Sequence, residues 1–453
     1  MNSSLRTVLN STPMRPQQWF IVGVCTMLNA LDGFDVLAMA FTASAVSNEF
    51  GLSGAELGML LSSGLIGMAV GAIVLSPLAD KVGRRPVLIA SAALATVGML
   101  LTASAGSATM IACWRIVTGL GVGGILAGAN IICNEYASDK HRGLAISIYT
   151  AGYGIGAGFG GMGAAWLLGQ YGWHSVFVFG GVLTGLTLLV VIMYLPESVD
   201  FLETRRDQRS QQKLLRVAQR LNIDPELARS RPTESAGEAE PAAKITDVLI
   251  GRFKATTILI WVAFFATMFA FYFVNSWTPK LLVVAGMTEQ QGVYGGIALT
   301  LGGALGSVVY GMLCSKWTPY QVMVGFVIFS AVAMVGFISS TSMLFLAFAL
   351  GVLVGMLVNG CVAGLYTITP ASYPAGLRGT GVGAALGVGR VGAIIAPTAI
   401  GALLDGGWTP QAVFMLSAAV LLIAGLAIFT LSRLPKAGSN DSVATEQVQE
   451  KVA

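Results

Sequence analysis

Apolar stretches long enough to cross a bilayer recur along this chain, separated by short polar breaks. Twelve fall at approximately 18–45, 55–79, 86–105, 108–133, 143–170, 174–195, 254–277, 288–314, 321–339, 341–368, 379–404 and 409–432. Each approaches or exceeds the roughly 20 residues that a helix needs to span about 30 Å of hydrocarbon. A transmembrane β-barrel would show shorter, alternating segments instead. The pattern therefore predicts an all-α membrane protein with twelve transmembrane helices in two six-helix halves. The first half is 1–195, a polar central loop occupies 196–253, the second half is 254–432, and 433–453 form a tail. Within the loop, Leu202 to Leu221 reads as an amphipathic helix on the membrane surface, and Ser230 to Ala243 as a flexible linker.

Composition agrees with this division. Charged residues make up 11% of 453 and apolar ones 55%, and the mean hydropathy is +0.75. A soluble domain carries about 25% charged residues. Of 26 lysines and arginines, 23 fall on one side when the N-terminus is placed inside; Lys280 falls outside, and Arg115 and Arg390 lie within spans. Both termini and the central loop are thus expected in the cytoplasm. The net charge of +4 follows from this asymmetry and gives no reason to expect a nucleic-acid partner. Cys25, Cys113, Cys133, Cys314 and Cys361 form no C-x-x-C pair, and His141 and His174 stand alone, so no metal site or cofactor is expected. The first span has no small-residue cleavage site after it and reads as an uncleaved helix.

The halves repeat weakly. Arg142-Gly143 and Arg378-Gly379 open spans 5 and 11, and Gly172-Trp173 and Gly407-Trp408 precede spans 6 and 12. Two halves in one orientation are parallel repeats, an arrangement associated with alternating access.

Charge inside the spans is the candidate chemistry, because a midplane carboxylate or guanidinium costs roughly 2.5–3.5 kcal/mol on insertion scales. Asp32 and Asp35 sit three residues apart in Leu31-Asp32-Gly33-Phe34-Asp35, on one helix face. Counting about 1.5 Å per residue, Asp32 and Arg115 of span 4 reach matching depths, so an Asp32–Arg115 pair is expected; the competing reading is a permanent structural ion pair. Arg390 lies about twelve residues beyond Arg378, hence roughly 18 Å deep. None of these four charges has a counterpart in the other half, which favours function over structure. Arg390 suits the carboxylate of an anionic substrate, with Arg115 as the alternative. Tyr272 and Trp277 of the aromatic span 7, Asn359 and Tyr366 of span 10, and Tyr153 of span 5 are further substrate candidates, offering rings or polar atoms. Gating candidates cluster between spans: Asp80, Arg84 and Arg85 after span 2, Glu135 and Arg142 around the span 4–5 loop, and Arg378 before span 11.

Ser76-Pro-Leu-Ala-Asp-Lys-Val-Gly-Arg-Arg85 resembles the loop signature of the major facilitator superfamily. With Leu31 to Asp35, Pro196-Glu197-Ser198, Ser276-Trp-Thr-Pro279, Arg378-Gly379 and Gly389-Arg390, the whole chain looks like the superfamily's aromatic acid:proton symporters. Span 5 lacks the Gly-Pro step of the superfamily's antiporters. The span 8–9 loop departs from the family, with Ser315-Lys316 and Tyr320 where Asp-Arg and a His are usual.

That resemblance implies uptake of a benzoate-type acid across the bacterial inner membrane for catabolism, driven by the proton gradient. It carries functional roles onto Asp32, Asp35, Asp80, Arg378 and Arg390. Its partners would be the aromatic acid, protons and the lipid bilayer, with no obligate protein partner evident. Asp32, Asp35 and Arg115 are expected to couple the proton. Alternatives are a symporter for a non-aromatic organic acid and a receptor that moves no substrate; no constellation for an enzyme is present.

Overall fold

The computed structural model describes residues 5–205, 207–221, 223, 245–249, 253–341 and 343–434. The expected linker at 230–243 and nearly all of the tail lie outside the described residues. The helices are α1 (Leu5–Ser11), α2 (Pro16–Phe50), α3 (Gly54–Val82), α4 (Arg84–Ala103), α5 (Ala108–Tyr136), α6 (Arg142–Tyr171), α7 (Trp173–Tyr194), α8 (Val199–Thr204), α9 (Gln208–Arg220), α10 (Ile245–Val248), α11 (Phe253–Val284), α12 (Glu289–Cys314), α13 (Pro319–Ser339), α14 (Leu344–Ala371), α15 (Ala375–Asp405) and α16 (Pro410–Arg433).

The twelve long helices correspond to the twelve expected spans. Among the described residues, eleven are long and apolar enough to cross a membrane. The twelfth, α6, is 30 residues long, and its many glycines dilute its hydropathy without shortening it. Local sequence sets the ends. α2 stops at Gly51 in the left-handed region (φ 62°), and Ser53 with Glu56 forms the capping box of α3. α11 outruns the expected span, continuing through Pro279 to Val284; membrane helices tolerate such a proline where freed backbone groups find other partners.

The described residues cluster into two units. The first comprises those within Met1–Gly237 with Ser276–Thr300, the second those within Glu238–Asn275 with Leu301–Ala453. In the first, α2 packs on α6, α3 on α5, and α4 on both α5 and α7. In the second, α13 packs on α14 and α16, α12 meets α14 where Gly302 faces the Val352 carbonyl, and α15 meets α11 where Gly392 faces that of Phe265. Numbered within each half, the pairings are the same, as expected for repeats.

The amphipathic segment after span 6 is two helices. Asp207 caps α9 by accepting from the Ser210 N–H at 3.2 Å, and the side-chain bond to Ser210 holds its carboxyl below the usual range. Leu214, Val217 and Ala218 of α9 are buried by protein, so α9 does not keep this apolar side for the membrane surface. Arg15 donates to the Leu221 carbonyl at its end.

Candidate functional site

Three charged groups of the first unit are buried together at mid-span. Asp32, Asp35 and Arg115 are 4%, 3% and 3% exposed. Arg115 meets Asp35, where the depth count pointed to Asp32. Its Nη1 donates to Asp35 Oδ1, and its Nη2 to Asp35 Oδ2 at 3.2 Å and to the Asp35 carbonyl at 3.0 Å. One helical turn separates the two acids, and a depth estimate cannot resolve a side chain as long as arginine over that distance. The guanidinium is wedged in place: its Cζ lies 5.9 Å from the Phe177 ring centroid of α7, and a Cβ on Gly64 of α3 would come within 3.0 Å of Nη2.

Gly33 between the acids is explained by the α2–α6 contact. A Cβ there would collide with the Tyr153 carbonyl oxygen. The absence of a side chain lets the helices touch backbone to backbone, while Asp32 and Asp35 face away toward α4, α5 and α7. There both acids line a cavity of about 10 Å³ with Met99, Thr118 and Thr184, room for about one water molecule. Asn29, one turn before Asp32, donates to the Tyr149 carbonyl at 2.8 Å. Tyr153 is half-buried on α6.

The second unit holds its own mid-span cation. Arg390 on α15 donates from Nη1 to the Tyr272 hydroxyl of α11 at 3.2 Å. Tyr366 of α14 stands edge-on to Phe264, centroids 6.1 Å apart, and is half exposed. Asn359 abuts Gly303, whose Cβ would lie 2.9 Å from Nδ2. No Asp or Glu occurs between residues 290 and 404, so α13, α14 and the membrane depth of α15 contribute no carboxylate. Trp277 belongs to the first unit and is 1% exposed; of the aromatic candidates it presents the least surface to a ligand.

The gating candidates divide. Arg84 of the first unit engages Glu135, donates to the Ser198 hydroxyl at 2.9 Å and lies 3.7 Å from Asp80, whose side chain is 70% exposed. Glu135 is 2% exposed and accepts from the Ser198 hydroxyl at 2.7 Å. Arg85 donates to the Ile192 carbonyl at 2.6 Å, and Arg142 pairs with Asp139 at 2.7 Å and with Asn10 at 2.9 Å. Arg378 is exposed in the second unit.

Glu197, Ser198, Tyr136 and Arg6 belong to this network without being among the gating candidates of the sequence. Glu197 Oε1 accepts from the N–H groups of Arg84 (2.8 Å) and Arg85 (2.9 Å), capping α4 from another segment of chain. Gly83 makes this possible. Its φ is +116°, a value L side chains rarely adopt, and a Cβ there would lie 2.6 Å from Glu197 Oε2. A carboxylate at a helix N-terminus satisfies orphan donors and the dipole together. Tyr136 donates to the Glu197 carbonyl at 2.7 Å, and Arg6 of α1 to the Glu135 carbonyl. Pro196-Glu197-Ser198 was the available signal, but neither partner is visible from it.

Twelve long helices in two units with matching helix pairings, and ionisable groups held at mid-span, define a multi-pass membrane transporter fold. The chain matches the Major Facilitator Superfamily over residues 22–397 and again over 296–452, and it belongs to that superfamily of transporters. It is 31% identical to the 4-hydroxybenzoate transporter PcaK of Pseudomonas aeruginosa, covering 93% of this chain and 96% of the relative. It is 30% identical to a gallate transporter of Pseudomonas putida, over 93% of each. Identity is also 30% to a 3-(3-hydroxy-phenyl)propionate transporter of Escherichia coli, over 90% of this chain and 93% of the relative. Among solved structures, a partially occluded inward-open form of the xylose transporter XylE from E. coli superposes with a TM-score of 0.72 at 16% identity, covering 93% of this chain and 99% of the other. That likeness shows the fold alone.

Proposed function

We propose that this protein is a transporter of small aromatic carboxylates, acting as a proton symporter in the bacterial cytoplasmic membrane with both termini inside. The observation that carries the substrate class is identity of about 30% along nearly the full chain to carriers of hydroxylated aromatic acids. The site chemistry is consistent with it. Arg390 offers a guanidinium in a unit whose spans supply no acid for much of their length, with the Tyr272 phenol beside it and Tyr366 and Phe264 rings nearby. A substrate carboxylate would receive charge-assisted hydrogen bonds from Arg390, and its ring would lie along these aromatic faces. Arg115 is the weaker candidate, because Asp35 already occupies its fork.

The same occupancy orders the two acids. Asp35 is held by the Arg115 guanidinium through both carboxylate oxygens. Asp32 shares the small cavity and is the better proton carrier. Protonating it removes a buried charge, which lowers the cost of rearranging the helices around it. The proton gradient is the driving force in this reading, with no cofactor, and the polar network at Arg84, Glu135 and Glu197 ties α4 and α5 to the segment after α7 within the first unit.

Uptake into proteoliposomes tests each part. Labelled 4-hydroxybenzoate and gallate should accumulate when the outside is acidic, and a protonophore should abolish accumulation; preference for succinate would replace the aromatic reading. Asp32→Asn should keep substrate exchange between preloaded vesicles and medium but lose uphill accumulation. Full accumulation by that variant would remove its proton role. Arg390→Lys should weaken substrate affinity about 10- to 100-fold, the effect of losing a charge-assisted, forked contact.

A further inference from the structure

A second cavity lies away from these charges. On the second unit, α12, α13 and α14 enclose an open groove of about 750 Å³. Its floor runs along α13 from Gln321 to Gly336, fifteen steps or about 22 Å. The lining is apolar apart from Gln321 at one end. Phe329 and Val332 on its rim are 65% and 67% exposed. All three helices are apolar enough to span a bilayer, so an exposed apolar face here opens onto hydrocarbon.

Two features separate this groove from ordinary roughness. Gly325 lines it, and a Cβ there would meet nothing within 4 Å; a Cβ on Gly336 would find only Leu350 Cδ1, at 3.6 Å. Neither glycine serves a tight helix crossing, unlike Gly33 or Gly302. They leave a channel where side chains would fit without collision.

The second feature is the chemistry of its end. Lys316 is exposed next to Trp317, which lines the groove and is 55% exposed. Tyr320 and Gln321 follow, and Lys316 has no salt bridge among the described residues. A cation beside amphipathic rings at the end of an apolar channel is complementary to an anionic headgroup with an acyl tail. This is also the loop that departs from the family pattern in the sequence.

The geometry points to a phospholipid site: one acyl chain of a bilayer phospholipid lies in the groove over Gly325 and Gly336, with its phosphate beside Lys316. The floor is longer than half of a hydrocarbon core about 30 Å thick, so an extended chain from one leaflet fits along it. The site depends on the membrane-spanning fold and not on the identity of the substrate.

The test uses the full chain in liposomes containing a phospholipid with a photoreactive group on its acyl chain. Irradiation, proteolysis and mass spectrometry then locate the adducts. The expected result is labelling concentrated on the groove faces of α13 and α14. Gly325→Leu should fill the channel and lower that labelling about tenfold, while uptake stays at the wild-type rate. Lys316→Gln should lower it less, and most strongly for anionic phospholipid.

Labelling spread evenly over the exposed faces of all outer helices would overturn the proposal. So would adducts at the groove that Gly325→Leu leaves unchanged. A third overturning result is disulfide cross-linking between copies of a Phe329→Cys variant with loss of label, which would make the face an interface between two copies.

Discussion

In the first unit the mid-span guanidinium of Arg115 meets a carboxylate, whereas in the second the guanidinium of Arg390 donates to a phenol. The helix pairings around them match, so the scaffold is not what distinguishes them. Burial and partner are. Arg115 is sealed at 3% exposure with both arms of its fork on Asp35. Arg390 is less buried and bonds a neutral group. A charge pair completed within one unit has no need of a ligand. In the second unit no acid occurs between residues 290 and 404, so an arriving carboxylate would bring a charge that α13, α14 and the membrane depth of α15 do not supply. The repeat thus supplies two similar frames, and the chemistry comes from departures between them.

The largest expected effect tests that difference directly. Asp35→Asn leaves a buried guanidinium facing a neutral amide, a change that costs about 3–5 kcal/mol. Thermal unfolding in detergent should fall steeply, with partial recovery in Asp35→Asn combined with Arg115→Met. Arg390→Gln should lower the melting temperature far less while abolishing high-affinity uptake. Equal destabilisation by Asp35→Asn and Arg390→Gln would erase the distinction between the two units.

Next in size are the close contacts that the units share. Gly33→Ala drives a methyl into the Tyr153 carbonyl, and Gly392→Ala drives one toward that of Phe265 at 2.5 Å. Each should cost about 1–3 kcal/mol of stability, the range for overpacking a filled interface. Similar losses sharpen the view of a common frame; a tolerated Gly392→Ala would confine the tight α2–α6 type of contact to the first unit.

The smallest effect is expected at Tyr272. Tyr272→Phe removes the hydroxyl that receives the Arg390 hydrogen bond. Substrate affinity should fall by about tenfold, the lower end for one hydrogen bond to a charged group, with the melting temperature nearly unchanged. An unaltered KM would show that this phenol does not help position Arg390.

Much of the fold was legible because membrane spans are written in composition. A helix in hydrocarbon must satisfy its backbone internally, so length and hydropathy mark it even where glycine is frequent. The matching dipeptides before spans 5 and 11 and before spans 6 and 12 reported the repeat correctly. The site was legible only as a set of residues. Asp32, Asp35 and Arg115 were recognisable as expensive charges at similar depth, but the choice of Asp35 as partner was not. Glu197 was visible as part of a motif, yet its partner Arg84 lies 113 residues away.

By itself, then, the sequence determined the class of protein, the positions of its spans and which residues carry charge into them. These follow from transfer free energies, which depend on each segment alone. Tertiary structure decided which acid Arg115 grips, why Gly33 and Gly83 must lack side chains, that α9 is held by protein, and where α12, α13 and α14 leave a groove. Those outcomes depend on side-chain reach and on contacts between distant segments, and no local pattern encodes either.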